Sequence, residues 1–402
     1  MVLRGLHRRL QGADRSRGLI AVAASCLTVG LLIAPPTAGA AVAGIATESS
    51  HHPPAKSHQP PGFPNLGPKA SLPVWGQWMK EGIYTPTGRS LLNTDTYYGL
   101  PHQDTWLDTY FTDAAGQTFY LSTHHMEQGL NGEMTTPVGG ISLGFQTDPL
   151  GQQMIPDPYF KEWLGYQTQA LIANGDASYF IVDPTTSEEL SFGANNFLWT
   201  SANAQLDIYG TLTAPGNSYY LPSPPPSVSK KPSAFLYGNV YYRVTGNYYG
   251  HEISGYAMVE ELWSQMEYDS NWWMNKRTGN WIAWTNTYAN GTTEYGQFFC
   301  MEHGYSGAII SNNRGQMLLD THHLSATVQS TDLLGSPLSI LYKFGNGQRF
   351  EYVGNPSHVV LPQKLLGTSL SDGSMEQLGS SSKIVHGDAI QLITGHIPAS
   401  CT

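Results

Sequence analysis

Two carboxylates stand side by side in an otherwise apolar run, Gly255-Tyr-Ala-Met-Val-Glu-Glu-Leu-Trp263. In a β-strand, successive side chains point to opposite faces. Tyr256, Met258 and Glu260 would then share one face, and Ala257, Val259, Glu261 and Trp263 the other. Whichever face is enclosed carries a carboxylate among apolar groups. Desolvation raises the pKa of a carboxyl so placed, which suits it to act as an acid near neutral pH. Glu261 and Glu260 are therefore candidate catalytic residues. The competing reading is a strand end where both meet water or Lys276 and Arg277. Trp272-Trp273, Trp281, Trp284 and Tyr288 follow closely. At a barrel mouth such rings suit a flat apolar or polyene-like ligand, or equally a sugar ring. Of these, Trp281 and Trp284 join Trp263 and Tyr256 in the expected ligand-binding set, although structural Trp in a β core accounts for most tryptophans in such a chain. The polar stretch between Ser264 and Asn280 is long for a hairpin and reads as a lid or mouth loop.

Other chemistries find less support. His124-His125 and His322-His323 are the obvious metal candidates, but neighbours in a strand face opposite ways and cannot serve one ion. No metal site and no cofactor is expected. Gly-x-Ser-x-Gly, His-Glu-x-x-His and P-loop patterns are absent from the sequence. A glycoside hydrolase needs two carboxylates about 5–9 Å apart. Glu260 and Glu261 diverge in a strand, so Glu302, Asp320 or another distant acid would have to complete that pair.

The elements that must position these residues are strands. The 402 residues include 43 Gly, 23 Tyr and 10 Trp, and only 12% are charged, against about 25% in an average soluble protein. That composition excludes a coiled coil or helical bundle. The abundant aromatics argue against disorder of the whole chain, and the net charge of −10 leaves no basic stripe for nucleic acid. Arg4, Arg8, Arg9, Arg15 and Arg17, an apolar run from Gly18 to Ala34, and Ala38-Gly39-Ala40 read as a secretory signal over 1–40. Nothing after it is long and apolar enough to span a membrane. Export leaves Cys300 and Cys401, which are expected to form a disulfide in an oxidising compartment.

Residues 41–73 read as a Pro/His/Ser tether and 214–233 as a Pro-rich linker, dividing a β domain over 74–213 from another over 234–402. Short alternating runs recur between turns at Asp113–Gly116, Tyr249-Gly250, Asn290-Gly291, Asn313–Gly315 and Asn346-Gly347. An all-β chain of two antiparallel barrels or sandwiches is the expected architecture. Leu121-Ser-Thr-His-His-Met126 and Leu319-Asp-Thr-His-His-Leu324 echo each other, as duplicated domains or chance would allow.

Tyr237–Gly246, Gly255–Trp263, Trp281-Ile-Ala-Trp284 and Tyr288–Gly291 together resemble the two-domain lipocalin-like family. That family includes carotenoid 1,2-hydratases, kievitone hydratase, decalin-forming Diels–Alderases and bacterial "predicted secreted hydrolases". The resemblance is clearest over 235–325. It implies two consecutive lipocalin-like barrels and a hydratase or cyclase acting on an apolar, terpenoid- or polyketide-like molecule. Where the family places an acid, a His and a Trp, this sequence has Glu260, Glu261 and Trp263. Where carotenoid hydratases place a Tyr and an Asp proton donor, it has Tyr288 and Asn290. An amide cannot protonate an alkene. The resemblance therefore points to Glu261 as substitute acid with Tyr288 assisting and Asn290 among the ligand contacts, or to a site that only binds. A secreted glycan- or lipid-binding module at the cell surface and a glycoside hydrolase stand as alternatives.

Overall fold

The computed structural model describes residues 66, 69–74, 80–84, 98–100, 102–127, 137–158, 160, 163–165, 169–173, 178–183, 188–193, 195–202, 204–213, 215–223, 227, 234–264, 279–301, 306–361, 368–398 and 401. Residues 1–40, where a signal is expected, and most of 41–73, where a tether is expected, fall outside them. The described chain is all-β, apart from a single 3-10 turn at Lys69–Ser71, and its strands make two antiparallel sheets.

The first sheet runs from β1 (Lys80–Tyr84), β2 (His102–Asp113), β3 (Thr118–Glu127), β4 (Pro137–Thr147), β5 (Met154–Pro156) and β6 (Trp163–Gly165) through β7 (Gln169–Ala173), β8 (Ser178–Asp183), β9 (Glu188–Gly193), β10 (Asn196–Ser201) and β11 (Leu206–Leu212) to β12 (Gly216–Leu221), β13 (Phe235–Tyr248) and β14 (His251–Ser264). Its order is β5-β4-β3-β2-β14-β13-β11-β10-β9-β8-β7, with β12 bridging β1 to β13 and β6 beside β4. The late strands β13 and β14 thus sit in the middle of a sheet begun by β2–β4. Alternation explains the outer strands: β11 buries every second residue along Leu206–Gly210 and exposes those between. At the β2–β3 turn, Gly116 adopts a φ of 84° and Asp113 Oδ1 accepts from the amides of Ala115 and Gln117, both at 2.9 Å.

The second sheet holds β15 (Gly279–Tyr288), β16 (Thr293–Met301), β17 (Ser306–Asn312), β18 (Met317–Thr321), β19 (Leu324–Thr331), β20 (Pro337–Phe344), β21 (Arg349–Leu361), β22 (Thr368–Gln377) and β23 (Ile384–Thr394), ordered β18-β17-β16-β15-β23-β22-β21-β20-β19. Residues from all nine strands meet in one buried cluster, which requires the sheet to curl around it. Cys300 of β16 is disulfide-bonded to Cys401, so the C-terminal segment is tied to that cluster.

The change of sheet falls between Ser264 and Gly279, and Gly216–Leu221 at the start of the expected linker belongs to the first sheet. The physical reason lies in the composition at the linker's start. Gly216-Asn-Ser-Tyr-Tyr-Leu221 lies ahead of the proline cluster 222–226, and its Tyr219 and Leu221 are buried. Gly216 has no room for a side chain, since a Cβ there would lie 1.8 Å from the Asn239 carbonyl oxygen. Leu66, within the expected tether, is buried in the first-sheet core because one apolar residue finds a place there. Among the described residues no helix is long and apolar enough to cross a membrane.

Three apolar clusters result. One lies on the enclosed face of the first sheet and another on that of the second. The third is a seam where the outer face of β2, β3 and β12–β14 packs on β15, β16 and β21–β23.

Candidate functional site

β14 is buried on both faces from Tyr256 to Ser264 because it is central in its sheet and covered on each side. Ala257, Val259 and Trp263 join the first-sheet interior, while Tyr256, Met258 and Leu262 join the seam. Glu261 therefore faces the interior and Glu260 the seam. Their exposures of 0% and 2% exclude the solvated strand end.

Thr105 is the cross-strand partner of Glu261 on β2, and its hydroxyl donates to Glu261 Oε2 at 2.9 Å. On the other side Glu261 pairs with Gly238 of β13. A Cβ at Gly238 would come within 2.8 Å of the Tyr84 ring, so glycine is what admits Tyr84 beside this strand pair. Tyr84 in turn meets Trp263 edge-on, with centroids 6.3 Å apart. Burial, reinforced by the charge of Glu261, pushes the Tyr242 hydroxyl far above its usual range and keeps it protonated. The interior thus presents a carboxylate, a hydroxyl and a phenol within walls of Leu107, Val240, Val259 and Trp263. That arrangement can hold a polar group of an otherwise apolar molecule and exchange a proton with it.

Glu260 occupies a different environment. It is hydrogen-bonded to Tyr237, whose hydroxyl is pushed well up by burial and then by the charge of Glu260. Nearby, Tyr120 donates to Asp108 Oδ1 at 2.7 Å. Tyr120, Tyr110, Tyr256, Tyr241 and Tyr295 form a row along the seam with successive centroids 4.9, 5.8, 5.6 and 5.3 Å apart. Tyr256 and Tyr241 hold the sheets together by donating to the carbonyls of Ala389 (3.3 Å) and Ala283 (2.8 Å). Trp281 also lies in the seam, beside a cavity of about 10 Å³ lined by Gly279, Met301, Leu392 and Thr394. That is room for about one water molecule, not a substrate.

The remaining expected residues lie elsewhere. Trp284 is in the second-sheet interior, against Phe298 and Phe350, where a Cβ on Gly296 would strike its ring at 2.3 Å. Tyr288 donates to Glu294 Oε2 at 2.7 Å; burial and then the Glu294 bond push its hydroxyl up. Asn290 is exposed, and its Oδ1 accepts from the Thr292 amide at 2.9 Å, shaping the turn. The structure therefore brings Glu261 to Trp263 and places Glu260, Tyr256 and Trp281 in one seam. It does not bring Tyr288, Trp284 or Asn290 to either carboxylate.

Trp272-Trp273 and Glu302 lie outside the described residues, and Asp320 is exposed. His124 and His125 stand in β3, whereas His322 and His323 follow β18 in the other sheet. Among the described residues no group of three His, Cys, Asp or Glu side chains could hold a metal.

Sequence reasoning missed the rim of the seam. There His358 Nδ1 lies 2.8 Å from Asp372 Oδ1, and Arg243 Nη1 is 3.1 Å from Asp388 Oδ2. A signal was available in Asn355-Pro356, since proline within an alternating strand marks a bulge. Thr105 carried no signal of its own; only the register of β2 against β14 pairs it with Glu261.

No family model matches the chain, and no curated protein does. Among solved structures it is similar to a candidate AttH from Nitrosomonas europaea, at 11% identity and a TM-score of 0.44, over 75% of this chain and 95% of that one. It is likewise similar to kievitone hydratase from Nectria haematococca, at 11% identity and a TM-score of 0.43, over 77% of this chain and 94% of that one.

Proposed function

We propose that the interior of the first sheet binds a largely apolar small molecule carrying a polar group, and that Glu261 exchanges a proton with it. The observation that carries this reading is a carboxylate with 0% exposure on the enclosed face, bonded to Thr105 and beside Trp263. Burying an acid is costly, and retaining one where an apolar residue would fit is a mark of use. In a hydration, protonated Glu261 would give its proton to an alkene carbon and water would add to the resulting cation. The proton shed by that water would return to the carboxylate, leaving the protein as it began. Cyclisation by the same acid needs the same return. Trp263, Trp281 and Trp284 are all buried, so none offers the flat exposed platform that a glycan would need. Export is part of the proposal, supported by the basic-then-apolar start of the chain and by the disulfide.

Native mass spectrometry of the full chain, purified as exported, tests this. The expected result is a co-purifying apolar molecule that Glu261→Leu loses, because leucine leaves the ligand's polar group unpaired. A chain that carries no such molecule, or keeps it equally well in Glu261→Leu, removes the reading.

A further inference from the structure

The seam reaches solvent at a second set of titratable side chains, separate from Glu261. Between the pairs Gly354–Gly373 and Val359–Ser371, residues Asn355 to His358 stand outside the β21–β22 ladder. This bulge carries His358 over Asp372 of the facing strand. Gly373 holds the strands close there, since a Cβ on it would lie 2.3 Å from the Val353 carbonyl oxygen. Asp372 pairs with Ile390, a seam residue, so its side chain faces the first sheet; Asp388, two residues along β23, faces the same way. From the first sheet, Arg243 and its cross-strand partner Tyr256 approach these acids, and the Tyr110 hydroxyl reaches towards the His358 carbonyl at 3.5 Å.

The pair has the geometry of an oriented base. With the Asp372 carboxylate as acceptor, the imidazole proton sits on Nδ1 and the Nε2 lone pair is left to accept. Asn355 Nδ2 rests on the ring, 3.0 Å from Nδ1 and 3.2 Å from Nε2, while its Oδ1 accepts from the Ser357 amide. The side chains of His358 and Asp372 are 16% and 15% exposed, so a donor arriving from solvent can replace that amide. Burial holds Asp372 above the usual carboxylate range despite His358, and Asp388 is raised by burial against the pull of Arg243.

We propose that this rim is a general-base site for phenolic small molecules, with His358 Nε2 accepting the phenol's proton and Asp372 holding the imidazolium that results. The electron pair stays on the phenol oxygen, and the Nδ1 proton remains between His358 and Asp372. An oriented imidazole can take an aliphatic hydroxyl's proton only within a reacting step, whereas a phenol is acidic enough for a fraction of the bound molecules to ionise on binding alone.

The test is a titration of the full chain with 4-nitrophenol, read by the absorbance of its phenolate. Bound probe is expected to ionise with a constant raised about tenfold, one pKa unit, over free probe. His358→Gln abolishes that gain and Asp372→Asn reduces it, while Asn355→Ala, which uncovers Nε2, increases it. Should His358→Gln fail to fold, modification of the unmutated chain by diethyl pyrocarbonate replaces it, with 4-nitrophenol expected to protect His358. Absence of a phenolate gain, an equal gain in His358→Gln, or no protection overturns the proposal. A gain lost in Glu261→Gln and kept in His358→Gln places the probe inside the first sheet and overturns it too, so this site and the Glu261 reading fail separately.

Discussion

The two sheets enclose interiors of different character. In the second, Trp284, Phe298, Phe344 and Phe350 meet with centroids 5.0–6.0 Å apart. Among its buried polar groups, Tyr342 donates to Asn280, Tyr352 to the Asp372 carbonyl and Asn286 to the Met375 carbonyl, while the Trp284 Nε1 and the Asn286 Oδ1 have no hydrogen-bond partner among the described residues. The first interior has aromatic packing of its own, with Phe111 stacked on Phe119 at 5.5 Å, yet it also keeps Glu261. One interior is filled for stability. The other accepts the cost of a buried acid, and such departures from consistent packing concentrate where a protein acts.

Breaking the second interior should cost most. Trp284→Ala is expected to destabilise by about 3–5 kcal/mol, the range for removing a large buried aromatic side chain. Urea denaturation would show this, with a lower midpoint and an unchanged slope. Cys401→Ser follows. Opening a bridge that spans 101 residues is expected to cost about 2–4 kcal/mol. A Cys401→Ser chain as stable under reducing as under oxidising conditions, and equal to the unmutated chain in both, would show that the bridge contributes nothing.

The first interior should respond with the opposite sign. Glu261→Leu exchanges a buried carboxylate for an apolar side chain and leaves the Thr105 hydroxyl to find another acceptor. The expected net effect is a gain of about 1–2 kcal/mol, since apolar replacements of buried ionic groups are often neutral or stabilising. The same substitution is expected to lose the bound molecule, so stability and binding would move apart. If Glu261→Leu destabilised the chain as strongly as Trp284→Ala, Glu261 would be a structural group and the contrast between the interiors would collapse.

Much of the fold could be read from the amino-acid sequence, because period-two alternation and turn residues are local properties. The Asp113–Gly116 hairpin and the positive φ angles of Gly250, Gly291, Gly315 and Gly347 follow from residue type alone. The opposed faces of Glu260 and Glu261 follow from the same periodicity. Which face meets which surface did not, because the identity of β14's neighbours is a long-range fact: β2, which supplies Thr105, lies about 150 residues upstream. The same limit hid the sheet boundary. Proline content draws attention to 214–233, but the pairing of β12 with β1 and β13 holds Gly216–Leu221 in the first sheet. The resemblance joins Tyr288 to the carboxylates, but its partner in the structure is Glu294, across the hairpin that Asn290 turns.

The smallest expected effect concerns how each sheet answers to pH at its hairpin ends. At the β2–β3 turn, burial would raise the Asp113 carboxyl, but the Gln117 amide, His251 at 2.7 Å and the Ala115 amide outweigh it and hold the pKa below the usual value. A lowered carboxylate contributes stability above its unfolded pKa of about 3.9, and that stability is lost as pH falls through the folded value. Glu294 in the second sheet is raised by burial, with the Tyr288 hydroxyl offsetting only part. Its contribution is therefore full below the unfolded pKa of about 4.3 and declines as pH rises through the folded value. Asp113→Asn should accordingly flatten the acid limb of the stability profile, and Glu294→Gln the limb just above pH 4. Urea midpoints measured for both variants and the unmutated chain from pH 3 to 7 would separate the two signs. Parallel shifts would mean that the hairpin ends, unlike the interiors, are governed by one kind of electrostatics.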